Sequence, residues 1–164
     1  MNIVLIGMPG CGKTTVGRII SRLLNIELVD SDDVIIRKRR KLIPKIIAEI
    51  GEKGFRGLES DVIKEISKKD NCIIATGGGA VINEQNVVNL KKNGILVFID
   101  RDINSIKPRE NRPLTNSREK LMKIYEERYP IYIKAADIHI KAERSAGETA
   151  KEIIRLIKYE KRNL

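Results

Sequence analysis

The sequence predicts a parallel α/β fold, and three observations carry that prediction. Short apolar, β-branched runs at 2–6, 26–29, 72–75, 95–99 and 137–141 are separated by segments that mostly carry apolar residues at helical spacing. Strands alternating with helices in this way build a parallel sheet. A length of 164 residues supplies one compact core and is short for two, so residues 1–164 are expected to form a single domain. Finally, "GMPGCGKT" at residues 7–14 joins the first apolar run to the first helical pattern, the strand–loop–helix context of a loop that holds phosphate.

The elements follow in order. After the glycine loop, Val16, Ile19, Ile20, Leu23 and Leu24 make one apolar stripe, and Asn25 is the expected helix stop. Pro44 suits the first turn of a helix that continues through Ile47 and Ile50. Leu58, Val62, Ile63 and Ile66 mark a further helical face, and Ala150, Ile153, Ile154 and Ile157 mark the last; "KYEKRNL" reads as its frayed, charged end. One segment breaks the rhythm. "IKPRENRPLTNSREKL", from Ile106 to Leu121, has two prolines, five basic side chains and few apolar anchors, so it is read either as a flap or as an ordinary surface loop.

Composition narrows the function classes. Hydrophobic residues at 41% and charged residues at 33% describe a soluble globular chain, and no apolar run approaches the roughly 20 residues that cross a bilayer. "NIVLI" is too short to be read as a signal peptide. Cys11 and Cys72 have no metal-ligand spacing and form no framework of pairs, which fits a reduced, cytoplasmic setting. The formal charge of +10 admits a nucleic-acid surface or a site for small polyanions. Its densest block is "RKRRK", Arg37 to Lys41; with aromatics at 4% there is no stacking platform for single strands, and the block is read as a solvated helix face.

Gly7, Gly10, Gly12, Lys13 and Thr14 complete G-x-x-x-x-G-K-[ST]. Glycines let backbone N–H groups turn onto phosphate oxygens, the following helix N-terminus adds partial positive charge, Lys13 reaches the β/γ oxygens and Thr14 offers a hydroxyl to Mg²⁺. Such a loop serves switches, motors and kinases, but neither N/T-K-x-D nor D-x-x-G, the marks of a GTPase, is present. "VDSDD" follows the second apolar run, at the strand end where ligands of parallel sheets bind. There Asp30 suits a hydrated Mg²⁺ and Asp32 a substrate hydroxyl, or the cluster is a helix cap, the role assigned to Asp33. "ATGGGAV" at 75–81 is read as glycines that admit a substrate to the backbone, or as a turn needing positive φ. In "FRGLE", Arg56 and Glu59 stand three apart on one helical face, where a carboxylate fixes a guanidinium, or where a surface ion pair forms. His139 alternates with Ile138 and Ile140 and is read as structural, and Cys11 as a small inert spacer.

The motifs "GMPGCGKT", "DSD", "FRGLE", "TGGG", "NRPL" and "ERYPIY", in that order, resemble the shikimate kinase family over about residues 2 to 157. The resemblance implies a three-layer α/β/α sandwich with a five-stranded parallel sheet of order 2-3-1-4-5. It also implies transfer of the γ-phosphoryl of ATP to the 3-hydroxyl of shikimate, in aromatic amino acid (chorismate) biosynthesis. By the same resemblance Gly10, Cys11, Gly12, Lys13, Thr14 and Thr15 form the ATP phosphate loop, with Thr14 on Mg²⁺ and Asp30 holding the metal through water. Lys13, Asp32 and Arg112 are the implied catalytic residues. Asp32, Arg56, Gly78, Gly79 and Arg128 are the implied shikimate contacts, Glu59 orienting Arg56 and Arg128 ending the helix that follows the flap. Arg112 sits in a lid of about 107–118 that reaches the transferred phosphate, and Arg144 is an adenine-side contact. The expected partners are shikimate and ATP, with no nucleic acid and no membrane, on a cytoplasmic monomer.

Two departures from the family pattern bear on the lid. Thr115 stands where many members carry a second leucine after "RPL", and the stretch before it is too short to align Lys107 or Arg109 with an adenine-stacking arginine. Two other readings stay open: a kinase for another polyol acid such as gluconate, against which "FRGLE" with "TGGG" counts, and a nucleotide-dependent nucleic-acid-binding protein using "RKRRK".

Overall fold

The first apolar run becomes β1 (Asn2–Ile6), buried along its whole length because it lies at the centre of the sheet. The computed structural model describes residues 1–160, so residues 161–164 of the charged C-terminal segment lie outside the described residues. Around β1 stand β2 (Glu27–Asp30), β3 (Cys72–Ala75), β4 (Gly94–Asp100) and β5 (Ile138–Lys141), all parallel, in the order β2-β3-β1-β4-β5. β1 therefore has β3 on one side and β4 on the other, and the chain crosses from one half of the sheet to the other between β3 and β4. The crevice at this reversal opens beyond the carboxyl ends of the strands, where the glycine loop lies.

Six helices flank the sheet: α1 (Lys13–Leu24), α2 (Ser31–Arg39), α3 (Ile43–Ile66), α4 (Glu84–Lys91), α5 (Arg118–Ala135) and α6 (Ala146–Glu160). α1 packs on α6, while α3 and α5 meet the 3-10 turn at Ala80–Ile82, and α4 packs on α3 and β4. Ile20, Phe98, Ile63 and Ile73, all fully buried, tie strands and helices into one core. His139 is on the outer side of β5, stacked 5.0 Å from Phe98 with Nε2 2.8 Å from Asp100, a structural place as expected.

Two sequence expectations are corrected, and a third, the break between two helical segments, is borne out. The apolar stripe of α1 is rotated: Leu23 is 53% exposed, and the buried face holds Val16, Gly17 and Ile20. Gly17 sits where a β-carbon would come 2.9 Å from Leu28, so a missing side chain lets the helix settle on the sheet, which a count of large apolar residues does not register. The cap of α2 is Asp30, not Asp33. The chain passes from β2 into α2 without a loop, so the last strand residue accepts from the N–H groups of Asp32 (3.0 Å) and Asp33 (3.4 Å). The two helical patterns read around Ile47 and Leu58 meet at Gly51, whose φ of 74° and ψ of 171° interrupt α3 in a conformation that glycine adopts without strain.

Candidate active site

Gly12, with φ 99°, turns the glycine loop into the first turn of α1 and leaves that turn's N–H groups facing the crevice. Lys13 is 7% exposed; its ammonium donates to the carbonyls of Gly7 (2.9 Å) and Met8 (2.8 Å). Cys11 is fully buried, with Sγ 3.7 Å from that ammonium, which agrees with a spacer rather than a solvent-reactive thiol. Thr14 Oγ1 donates to Asp30 Oδ2 at 2.6 Å, so one carboxylate both caps α2 and meets the loop hydroxyl.

Asp32, in the first turn of α2, faces the same crevice. Burial, then the neighbouring carboxylates of Asp30 and Glu59, push its pKa up to about 6 against the pull of Lys13 and Arg112. Between the two aspartates Ser31 is fully buried and accepts the Gly77 N–H at 2.9 Å, fastening the second glycine cluster to α2.

That cluster is glycine for a reason neither sequence reading contained. None of Gly77, Gly78 and Gly79 has positive φ. Instead, a β-carbon at Gly77 would lie 2.7 Å from Glu59 Oε1 and 2.9 Å from Asp32 Oδ1, one at Gly78 would lie 2.6 Å from the Pro9 ring, and one at Gly79 would strike the Arg56 guanidinium. The positive-φ turn is thus ruled out, and the missing side chains make room for the protein's own functional groups.

Arg56 and Glu59 form an ion pair of 2.7 Å in which Glu59 is 1% exposed, so the pair is not a surface one. Arg128 is 6% exposed and lies inside α5 rather than at its end, because α5 continues through Pro130 to Ala135. One turn on, Tyr132 is fully buried, stacked 5.1 Å from Phe98, and donates to the Gly78 carbonyl at 2.6 Å.

A cavity of ≈ 580 Å³ brings Gly10, Gly12, Lys13, Thr14, Thr15, Asp30, Asp32, Arg56, Gly78, Gly79, Arg112 and Arg128 to one place. Pro44, Ile47 and Phe55 give it an apolar wall. Arg144 does not line it; it is exposed in the turn ahead of α6. The expected lid segment has no regular helix or strand between Ile106 and Ser117, but its tip is fastened. Thr115, 3% exposed, donates its N–H to the Arg112 carbonyl (2.9 Å) and accepts the Arg109 N–H (3.2 Å). The residue that departs from the family pattern is therefore the anchor of the turn that carries Arg112.

Sequence reasoning missed Arg101, whose Nε donates to the Cys11 carbonyl at 3.1 Å, and Tyr132. Both were available as signals: Arg101 directly follows β4, at the strand end where ligands bind, and Tyr132 stands four residues after Arg128 on the same helical face.

A glycine loop at a helix N-terminus, facing a half-buried carboxylate across a cationic crevice of a five-stranded parallel sheet, defines the P-loop kinase class of α/β protein. Within that class the chain belongs to the shikimate kinase family, whose model matches residues 9–158. It is 43% identical over 159 residues to the shikimate kinase of Clostridium botulinum (strain Alaska E43 / Type E3), with 94% of this chain and 96% of the relative covered. Among solved structures, the Acinetobacter baumannii shikimate kinase in complex with shikimate superposes with a TM-score of 0.93 at 37% identity, covering 98% of this chain and 94% of that one. The Aquifex aeolicus shikimate kinase gives 0.85 at 39% identity, with 96% of each chain covered.

Proposed function

We infer that this chain transfers the γ-phosphoryl of ATP to the 3-hydroxyl of shikimate, giving shikimate 3-phosphate and ADP. The observation that carries the reading is a single cavity in which Asp32 faces Lys13 and Arg112 while Arg56 and Arg128 stand as two further cations. The first group suits phosphoryl transfer, and the second suits an anionic acceptor.

Phosphoryl transfer runs through a loose transition state, so positioning and charge stabilisation supply most of the rate. In this reading the N–H groups of residues 10–15 and the Lys13 ammonium hold the β/γ oxygens. Arg112 meets the charge spread over the transferred group. Asp32 orients the 3-hydroxyl and takes its proton; a pKa near 6 leaves it mostly ionised at neutral pH and close enough to that pH to accept. Arg56, held by Glu59, and Arg128 clamp the shikimate carboxylate, and the glycines at 78 and 79 form the floor. Arg144 remains the proposed adenine-side contact.

For Mg²⁺, the Thr14 hydroxyl and Asp30 carboxylate, 2.6 Å apart at the loop, are the hard oxygen donors such an ion takes. Thr14 would hold it by its hydroxyl and Asp30 through water, with the nucleotide supplying other oxygens. Once bound, the ion would neutralise charge on the β/γ oxygens.

Residues 107–118 are proposed as a lid of a single 1–164 domain, closing Arg112 onto the phosphate and excluding the water that competes with the acceptor. A monomer without nucleic-acid partners is part of the same proposal. Lys38 pairs with Glu65 and Lys41 with Glu49, the large exposed apolar residues are spread over separate elements, and Tyr159 is the one strongly exposed aromatic among the described residues. Among those residues no helix is long and apolar enough to cross a membrane, and both cysteines are free and buried, in keeping with the cytoplasmic setting proposed. Phosphorus–proton correlation NMR on the product tests the regiochemistry: coupling to the proton on carbon 3 is expected, and phosphorylation of another hydroxyl would contradict the placement of Asp32.

A further inference from the structure

We propose that Tyr132 is a positioning residue for the acceptor half of the site, fixing the Gly78–Gly79 peptide so that the Gly79 N–H is presented to the acceptor's anionic group. The proposal rests on the reading above that the acceptor is a carboxylate.

The argument begins with the peptide plane. In a trans peptide the C=O of one residue and the N–H of the next point in opposite directions, and the unit turns as one rigid piece. The Tyr132 hydroxyl donates to the Gly78 carbonyl at 2.6 Å, so it sets the direction of the Gly79 N–H. Gly78 and Gly79 line the cavity and Tyr132 does not, which puts the carbonyl on the core side of the loop and the N–H on the cavity side. Among the described residues nothing accepts that N–H, whereas the neighbouring Gly77 N–H is taken by Ser31 and the Ala80 N–H by the Gly77 carbonyl. A donor left in this way beside the Arg56 guanidinium is suited to an anion.

The phenol is equipped to do this at any working pH. Burial pushes its pKa up, so it stays a donor, and stacking on Phe98 fixes the ring. Without side chains, Gly78 and Gly79 have little of their own to hold that peptide in place. Tyr132 shares a face of α5 with Arg128, four residues earlier, so one helix delivers both the guanidinium and the group that orients the facing N–H. Met8 Sδ lies 4.0 Å from the same hydroxyl, which brings the phosphate loop into contact with the arrangement.

Tyr132→Phe tests this, because it keeps the ring on Phe98 and removes only the hydroxyl. The KM for shikimate is expected to rise about five- to tenfold, with kcat at saturating shikimate and the KM for ATP within about twofold of native. For the neutral amide of shikimate, which accepts the N–H without charge assistance, the KM difference between variant and native protein should be smaller. In the native protein the Gly79 amide resonance should shift when shikimate is added, and in the variant that shift should shrink. An unchanged shikimate KM in Tyr132→Phe overturns the proposal alone, as does a Gly79 resonance that shikimate leaves unmoved in the native protein, or an equal loss of every kinetic constant. A native protein that does not phosphorylate shikimate overturns the proposal and the functional reading together.

Discussion

Glu59 and Asp32 aim carboxylate oxygens at one point beside Gly77, 2.7 and 2.9 Å from where a β-carbon there would sit. The other Glu59 oxygen holds Arg56, and Oε1 is the buried side-chain polar atom left without a partner among the described residues. The missing side chain at Gly77 thus lets the acceptor clamp and the proposed base share one electrostatic neighbourhood. Gly77→Ala should force those groups apart, lowering stability by about 1 to 3 kcal/mol as overpacking does and reducing kcat. Chemical denaturation and steady-state kinetics check both; native values for stability and rate would mean that the neighbourhood yields freely.

Asp32 links activity to pH and to stability with opposite signs. Its folded pKa of about 6 lies above the ordinary 3.8, so the folded state binds the proton more tightly. Stability should fall as pH rises from about 4 to about 6 and stay lower above that window. Asp32→Asn, which cannot ionise, should therefore be more stable than the native protein at pH 7, by up to about 3 kcal/mol, with the gain vanishing below pH 4. The same variant should lose about 10²- to 10⁴-fold in kcat, and native kcat/KM should rise between pH 5 and 7. Near-normal turnover in the variant would reduce Asp32 to a residue of the helix's first turn.

Arg112 stands on a polar turn whose tip Thr115 anchors, so its guanidinium contributes little to the core. Arg112→Ala should lower kcat and kcat/KM together, by about 2 to 4 kcal/mol if it clamps the transferred phosphate, with the Tm close to native. Unchanged kcat in the folded variant removes the role.

Arg56 and Arg128 come from α3 and α5, and charge-assisted hydrogen bonds from each to a carboxylate contribute roughly 1.5 to 3 kcal/mol. Arg56→Ala and Arg128→Ala should each weaken shikimate binding strongly and leave ATP affinity nearly intact. Replacing the shikimate carboxylate with a neutral amide should cost the native protein a comparable amount and cost either variant much less. Calorimetric titration of the four combinations gives the answer, and strictly additive penalties would show that the arginines do not hold the carboxylate.

Much of this was legible in the sequence because it depended on order and period. The five strands and the phosphate loop are local patterns, and the sheet order followed from the family resemblance. What periodicity does not encode is which missing side chain is filled from elsewhere. The glycines at 77–79 read as a substrate floor or as a turn; none has the positive φ of the turn, and Pro9, Asp32, Glu59 and Arg56, distant in sequence, also fill the space beside them. For the same reason the Leu23 assignment failed at Gly17. Arg128 read as a helix end, but α5 carries Pro130 within it and runs on to Ala135. Tyr132 and Arg101 act through backbone carbonyls, Gly78 and Cys11, and a sequence motif does not show a partner that has no side chain.

The most direct test of the central claim is ADP release coupled to a spectrophotometric readout, with ATP and Mg²⁺ and a panel of acceptors. Release should be slow with ATP alone and much faster with shikimate, while gluconate and nucleoside monophosphates leave it at background. Acceleration by gluconate or a nucleoside monophosphate, with shikimate at background, would contradict the account.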